Sequence, residues 1–404
     1  MKHGSGDMAR TTQDGAAGFD GIICIGGEDW WYHNRGHFDF QIMRRLARSL
    51  PVLFVNSLGV RIPSVKHGGH GQVLARIRRK FGSFGRGLVH VESNFHVLSP
   101  FSVPGDIGRN ALGWALAPQI KLAARRIGIV RPLVWIHCPP GAELLDAFAE
   151  APVVLQRTDR FEAFPEGDPL VLGRQIAVLK SRTDLVVYCN AGLQAAELGQ
   201  VRRSLLVTHG VDFDRFAAAG MAITEPPADM AGIARPRAGF IGGIDAHTFD
   251  PELFLGVVRA LPDVQFVLVG GCSLPEGWCR YTNVHLLGRK PYDEVAGYMA
   301  ACDALIMPWN RSDWIKGCNP IKLKEYLAVG RPVVTTDFPA LADYRDLVRV
   351  ATDAEGFAAA LREALSSAHD ARPERDRVRS QSWDAKAAEV LAALRGLAVA
   401  RQAA

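Results

Sequence analysis

Short, continuous apolar runs rich in Val, Ile and Leu alternate with helix-patterned stretches along almost the whole chain. In the first half they are Ile22–Ile25, Pro51–Val55, the run from Phe95, Pro132–His137, Pro152–Leu155, Leu185–Cys189 and Ser204–Thr208. In the second half they are Ala238–Gly242, Val264–Gly270, Val284–Gly288, Ala304–Pro308, Pro332–Thr336 and the run from Val348. Strands apolar on both faces and separated by helices predict parallel sheets covered on both sides. Thirteen such runs exceed one comfortable doubly wound sheet, and no eightfold barrel period is present. The expectation is therefore α/β, with two doubly wound parallel-sheet domains, which also suits 404 residues at about 150 per domain.

The divisions read as a polar arm over 1–18, a first domain over 19–216, an Ala- and Pro-rich linker over 217–237, a second domain over 238–375 and a C-terminal helix over 376–404. No run reaches the 18 or so apolar residues of a membrane-spanning helix. The N-terminus lacks the apolar core of a secretory signal. Seven cysteines without C-x-x-C spacing make a disulfide framework or zinc cage improbable and suit a reducing cytoplasm.

Charge is concentrated in one place. Residues 40–91 hold ten Lys or Arg and no Asp or Glu, so the rest of the chain, 37 basic against 42 acidic, is net negative. Within 71–87, Leu74, Ile77 and Phe81 recur at helical spacing among Arg76, Arg78, Arg79 and Lys80. Such a segment reads as a basic amphipathic contact for an anionic membrane surface, or else as a solvated loop. Nucleic acid is not predicted as a partner, because no binding motif accompanies the charge.

Ligands of parallel sheets bind beyond the carboxyl ends of strands, which selects five loops. The first, after Ile25, has Gly26-Gly27 and then Trp30, Trp31, Tyr32, His33, Arg35 and His37. Gly27, Trp31, Arg35 and His37 are candidate sugar-binding groups, since aromatics mixed with His and Arg suit sugar stacking and hydroxyl bonding. The alternative is a loop whose tryptophans are core. In the second loop His137 ends a strand before Pro139-Pro140, a place for a catalytic or a structural histidine. In the third, Asp159 is a candidate general base or a cap for the next helix.

The fourth loop carries Gly242-Gly243 between a strand and a helix predicted to start at Asp250-Pro251. Backbone N–H groups left free by glycine form a phosphate cradle. In the fifth, a helix opens at Asn319-Pro320, places Lys322 and Glu325 on one face and stops at Gly330. A Lys and a Glu facing one cleft can hold a pyrophosphate and a ribose diol; the plainer alternative is a surface ion pair.

The ordered set HGVDFDRF, FIGGID, VQFVLVGG, NVHLLGRKPYDEVAGYMAACDALIMPW and NPIKLKEYLAVGRPVV resembles family 4 glycosyltransferases of the GT-B fold, over about residues 20–370. The opening GGEDWWYHNRGHFDFQIMRRLARSLPVLFVNSLG is similar to the subgroup that builds bacterial cell-surface polysaccharides, such as teichuronic-acid-type transferases. The resemblance implies two Rossmann-like domains around an interdomain cleft, a nucleotide-sugar donor, most readily a UDP-sugar, on the second and a glycan or glycolipid acceptor on the first. It implies Glu325 on the ribose hydroxyls, Gly242-Gly243 against the diphosphate, and Lys322 aimed at the phosphates. Two positions depart from the family. Gly317 stands where a donor-sugar Glu is expected, eight residues before Glu325, and IDAHTFDP lacks the usual basic residues after the glycine turn. Lys322 and Arg289 are then the sources of positive charge. No D-x-D follows a strand, so neither metal nor other cofactor is predicted. The expected protein is a cytoplasmic transferase, peripheral at the inner face of the plasma membrane. Its rivals are a nucleotide-sugar epimerase and a non-catalytic scaffold of the same fold.

Overall fold

The computed structural model describes residues 18–32, 36–57, 85–101, 112–163, 168–222, 225–316 and 318–402. The segment 71–84 of the basic stretch, Arg35 and Gly317 therefore lie outside the described residues.

The first sheet has eight strands: β1 (Gly21–Ile25), β2 (Val52–Val55), β3 (Leu88–Glu92), β4 (Phe95–Leu98), β5 (Pro132–Ile136), β6 (Val153–Arg157), β7 (Leu185–Tyr188) and β8 (Ser204–Leu206), in the order β3-β4-β2-β1-β5-β6-β7-β8. All neighbours are parallel except β3 and β4. Strand β3 was not among the thirteen apolar runs. Its LVHVE sequence is half polar because it pairs on one side only, at the sheet edge.

Alternate side chains of the central strands feed two cores. Ile22, Cys24, Val52 and Phe54 face helices α1 (Phe38–Leu46) and, from the far end of the chain, Trp383–Gln402. Ile23, Ile25, Leu53 and Val55 face α2 (Leu112–Arg126), 3-10 turns over Pro139–Phe148, and α3 (Pro169–Arg182). This two-sided burial is why the strands read as unbroken apolar runs. A short α4 (Ala191–Ala196) joins β7 to β8.

The second sheet is wholly parallel, with β9 (Arg237–Ile241), β10 (Gln265–Val269), β11 (Val284–Gly288), β12 (Ala304–Met307), β13 (Val333–Thr336) and β14 (Arg349–Ala351) in the order β11-β10-β9-β12-β13-β14. Around it lie α5 (Phe213–Met221), α6 (Pro251–Ala260), α7 (Val295–Ala300), the short α8 (Asp313–Lys316), α9 (Ile321–Val329), α10 (Ala354–Ser366) and α11 (Arg372–Arg379). Helix α6 starts as its sequence predicts: Pro251 occupies its first turn and the Asp250 carboxylate accepts from Leu253 N at 3.0 Å. Helix α9 stops at Gly330, whose φ of 73° is the left-handed cap that only glycine adopts cheaply.

Between the sheets, the Ala- and Pro-rich stretch is not all irregular: α5 continues to Met221, with Phe213, Phe216 and Ala217 buried. The last stretch is two helices, not one. Helix α11 ends at Arg379, and α12 (Trp383–Gln402) begins after the chain has passed back to the first sheet. The break has a cause: Val211 N donates to Gln381 O and Trp383 N donates to Val211 O, so residues 381–383 bond to the outgoing segment.

Candidate functional site

In each sheet the strand order reverses once, between β1 and β5 in the first and between β9 and β12 in the second. Crevices open at such reversals, beyond the carboxyl ends of the strands. Most of the described residues chosen from the sequence sit at these two points.

At the first reversal, Gly27 follows β1 and His137 follows β5. A Cβ on Gly27 would lie 2.5 Å from His137 Nδ1, so glycine is required for this packing. The buried imidazole bonds on both sides: Nδ1 is 3.0 Å from Asp39 Oδ2, and Nε2 is 3.1 Å from Thr158 Oγ1. Asp39 is fully buried in the first turn of α1. Burial opposes both charges, but their mutual attraction wins, holding the carboxyl below and the imidazole above their ordinary ranges. The sequence reading named His137 and missed Asp39. The available signal was an acidic residue inside the apolar run FDF.

Asp159 lies two residues beyond β6. Burial raises its carboxyl pKa, partly offset by His137, His37 and Arg157. Its backbone oxygen accepts from Phe161 N at 3.1 Å. His37 is exposed at the N-cap of α1. The aromatic loop divides. Trp30 is core, its ring 4.9 Å from Phe95 and 5.2 Å from Phe40. Trp31 is half-buried, donates from Nε1 to Ser99 Oγ at 3.2 Å and carries the Arg86 guanidinium 4.5 Å above its ring.

At the second reversal, β9 runs into Gly242-Gly243. Lys322 reaches back over this turn from α9: its Nζ lies 4.7 Å from the Phe240 ring and 5.3 Å from that of Trp309. A Cβ on Gly242 would come 2.2 Å from this Nζ. Lys322 has no salt bridge among the described residues, and burial lowers its pKa although Cys318, Glu325 and Asp245 pull the other way. The seven residues Ile244–Asp250 separate the glycines from α6, whose first turn is already capped by Asp250. Helix α6 therefore adds little to an anion at the turn. Asp245 packs against Gly243 and folds its own loop, accepting from His247 N and Thr248 N.

One turn along α9, Glu325 is buried and accepts from Tyr292 Oη at 3.0 Å. Burial raises its carboxyl to about 7, with Tyr292 and Lys322 opposing. Tyr292 was not singled out from the sequence. The exposed Arg289 guanidinium lies against Gly271, just past β10. Pro320 is the N-cap of α9, and Asn319 beside it is half-buried.

The two reversals face one another. Burial, and after it the charge of Asp159 from the first, raises the Cys318 thiol on the approach to α9, with Lys322 opposing. The neighbour of Glu325, Lys324, crosses over: its Nζ donates to His209 O and to Thr208 Oγ1. Burial lowers the Lys324 ammonium to about 7, and burial with that cation lowers His209 to about 3. One cleft thus has His137 and Asp159 on one wall and Lys322 and Glu325 on the other. Among the described residues, no group of His, Cys, Asp and Glu could hold a metal ion.

Two such domains facing across a cleft define a GT-B architecture. Residues 235–367 match the family model described as Glycosyl transferases group 1. TuaH of Bacillus subtilis (strain 168), named as a teichuronic acid biosynthesis glycosyltransferase, is 32% identical over 139 residues, 33% of this chain and 34% of that protein. The match thus spans about a third of the curated relative. Sucrose-phosphate synthase from Thermosynechococcus elongatus superposes with a TM-score of 0.67 at 16% identity, covering 94% of this chain and 100% of that one. A UDP-forming α,α-trehalose-phosphate synthase from Burkholderia vietnamiensis gives 0.62 at 14% identity, with the same coverage. These likenesses carry the fold.

Proposed function

We propose that this protein transfers a hexosyl unit from a nucleoside-diphosphate sugar, a UDP-sugar first among them, to a lipid-linked or membrane-proximal glycan in cell-surface polysaccharide synthesis. One observation carries the donor side. A half-buried lysine without a carboxylate partner among the described residues lies over a glycine turn at the sheet reversal, and a buried Glu lies one helical turn away. A lysine so placed is satisfied by an anionic ligand.

In this reading Lys322 and the Gly242-Gly243 amides bind the diphosphate and stabilise its charge as the glycosidic bond breaks. Glu325 exchanges its Tyr292 partner for the ribose hydroxyls. Arg289, Asn319 and Pro320 border the donor. Gly27, Trp31 and His37 border the acceptor. His137 is held by Asp39 at the cleft wall. Asp159, its pKa raised toward the working range, takes the acceptor proton if the configuration inverts and orients the acceptor if it is retained. The basic stretch 40–91 draws the protein to an anionic inner leaflet.

Isothermal titration with UDP, GDP and ADP tests the donor assignment. Micromolar binding of one of them, lost in Lys322→Ala, is the expected result; absence of binding to all three overturns it. Gly317, in place of the family's sugar-binding Glu, favours a second reading, a non-catalytic member. That reading requires that no UDP-sugar be turned over, with or without acceptor.

A further inference from the structure

Helix α2 has one face buried and one without a partner among the described residues. Leu116, Ala117, Ile120, Ala123 and Ala124 pack on the sheet. The opposite face presents Trp114, Pro118 and Leu122 at intervals of four, with Lys121 and Arg125 interleaved. Trp114 is 76% exposed and Leu122 52%. Phe101, 62% exposed, is fastened beside the helix: its N–H donates to Gln119 Oε1 at 3.0 Å and its carbonyl accepts from Gln119 Nε2 at 3.2 Å. Along this face runs an open groove of about 430 Å³, walled by Trp114, Pro118 and Leu122 with Lys121 and Arg125 on its rim. Soluble surfaces rarely leave such a set of large apolar groups together.

The charge pattern selects the partner. The helix contains no Asp or Glu and ends in Arg125-Arg126. Carboxylates of the neighbouring 3-10 turns are engaged elsewhere, Asp146 by Arg182 at 2.6 Å and Glu143 by the Gln175 amide at 3.4 Å. An apolar wedge with a Trp at one end and cations of a single sign around it fits the headgroup layer of an anionic bilayer. Topology agrees. Trp114 opens the helix that follows β4, and β4 is parallel, through β2, to β1, so Trp114 lies toward the sheet edge that carries Gly27 and His137.

We propose that the exposed face of α2 is a membrane-docking surface, with Trp114 and Leu122 among the lipid headgroups and Lys121 and Arg125 against anionic phosphates. It gives the membrane-proximal acceptor of the proposed function a specific contact, resting on that part of the reading and not on the donor chemistry. Docking by this face turns the acceptor wall of the cleft toward the bilayer.

The test is co-sedimentation of the full chain with phosphatidylcholine vesicles and with vesicles containing 30% phosphatidylglycerol. The protein is expected to pellet with the anionic vesicles only, and less as salt rises. Trp114→Ala/Leu122→Ala and Lys121→Gln/Arg125→Gln should each lower partitioning by roughly tenfold or more, each lost cation accounting for about fivefold. Both pairs are exposed, so thermal unfolding and UDP affinity should stay at wild-type values. Three results overturn the proposal: a wild type that stays in the supernatant, both variants pelleting like wild type, or a lipid-free dimer abolished by Trp114→Ala. Loss of UDP binding by the wild type would strike the donor assignment and leave this surface standing.

Discussion

Asp39 Oδ2 and His137 Nδ1 lie 3.0 Å apart although 98 residues separate them in sequence. The carboxylate fixes which imidazole nitrogen carries the proton and leaves Nε2 to face Thr158. Asp39 is thus a positioning residue for whatever His137 does in the cleft.

This pair should write itself into the pH dependence of stability. The pKa of His137 is raised from an ordinary 6.5, so its contribution is complete below that value and is lost as pH climbs through the raised pKa. The pKa of Asp39 is lowered from 3.8, so its contribution is present above that value and is lost as pH falls through the lowered pKa. Asp39→Asn should cost about 3–5 kcal/mol at pH 5.5, as expected for a broken buried pair, and less once pH has climbed through the raised pKa of His137. Denaturant unfolding followed from pH 5.5 upward decides it: a loss that never diminishes as pH rises would contradict the ion-pair account.

Lys322→Ala should weaken UDP binding by about 10- to 150-fold, the worth of a charge-assisted hydrogen bond. Gly242→Ala should act in the same direction without touching the lysine, because its Cβ would take the space beside Nζ. Unchanged titration curves for both variants would remove this turn from the donor site.

Glu325→Gln should stabilise the free protein while weakening nucleotide binding. With its carboxyl raised from 4.5 to about 7, the folded state holds a proton that the unfolded chain releases between those values, so stability falls with rising pH across that interval. At pH 8 glutamine relieves about 1–3 kcal/mol of that penalty. Conversely, wild-type affinity for UDP should decline below pH 7 as Glu325 gains its proton, and the variant should show no such slope. A melting temperature at pH 8 below that of the wild type would contradict the burial argument.

Asp159→Asn should leave UDP affinity intact and depress turnover once a sugar and acceptor are identified. Wild-type turnover would dismiss Asp159 as the base.

What the sequence displayed was mainly local. Helix α9 could be read from Pro320 to Gly330 because a proline start and a glycine stop are properties of single residues. The apolar strands were visible because both faces are buried, whereas LVHVE at the edge, half polar, carried too little signal. Lys322 and Glu325 were found because three residues on a helix share a face. Asp39 and Tyr292 were not, since each matters through a partner 98 or 33 residues away that no spacing rule connects. Trp30 and Trp31 are adjacent in sequence, yet one is core and the other half-exposed; only packing against Phe40 and Phe95 separates them.

The return of the chain to its first domain has a mechanical consequence. The polypeptide crosses between domains at Val211 and again near Ser382, and there the two crossings bond to each other. Trp383 then seats against Phe38 and His209, with ring centroids 5.7 and 6.2 Å away, while Arg45 grips Asp384. A single thread would let one half of the molecule swivel freely about the other. Two threads sewn together at one edge restrain swivelling and sliding, and leave a swing about that seam as the least hindered displacement of one half against the other.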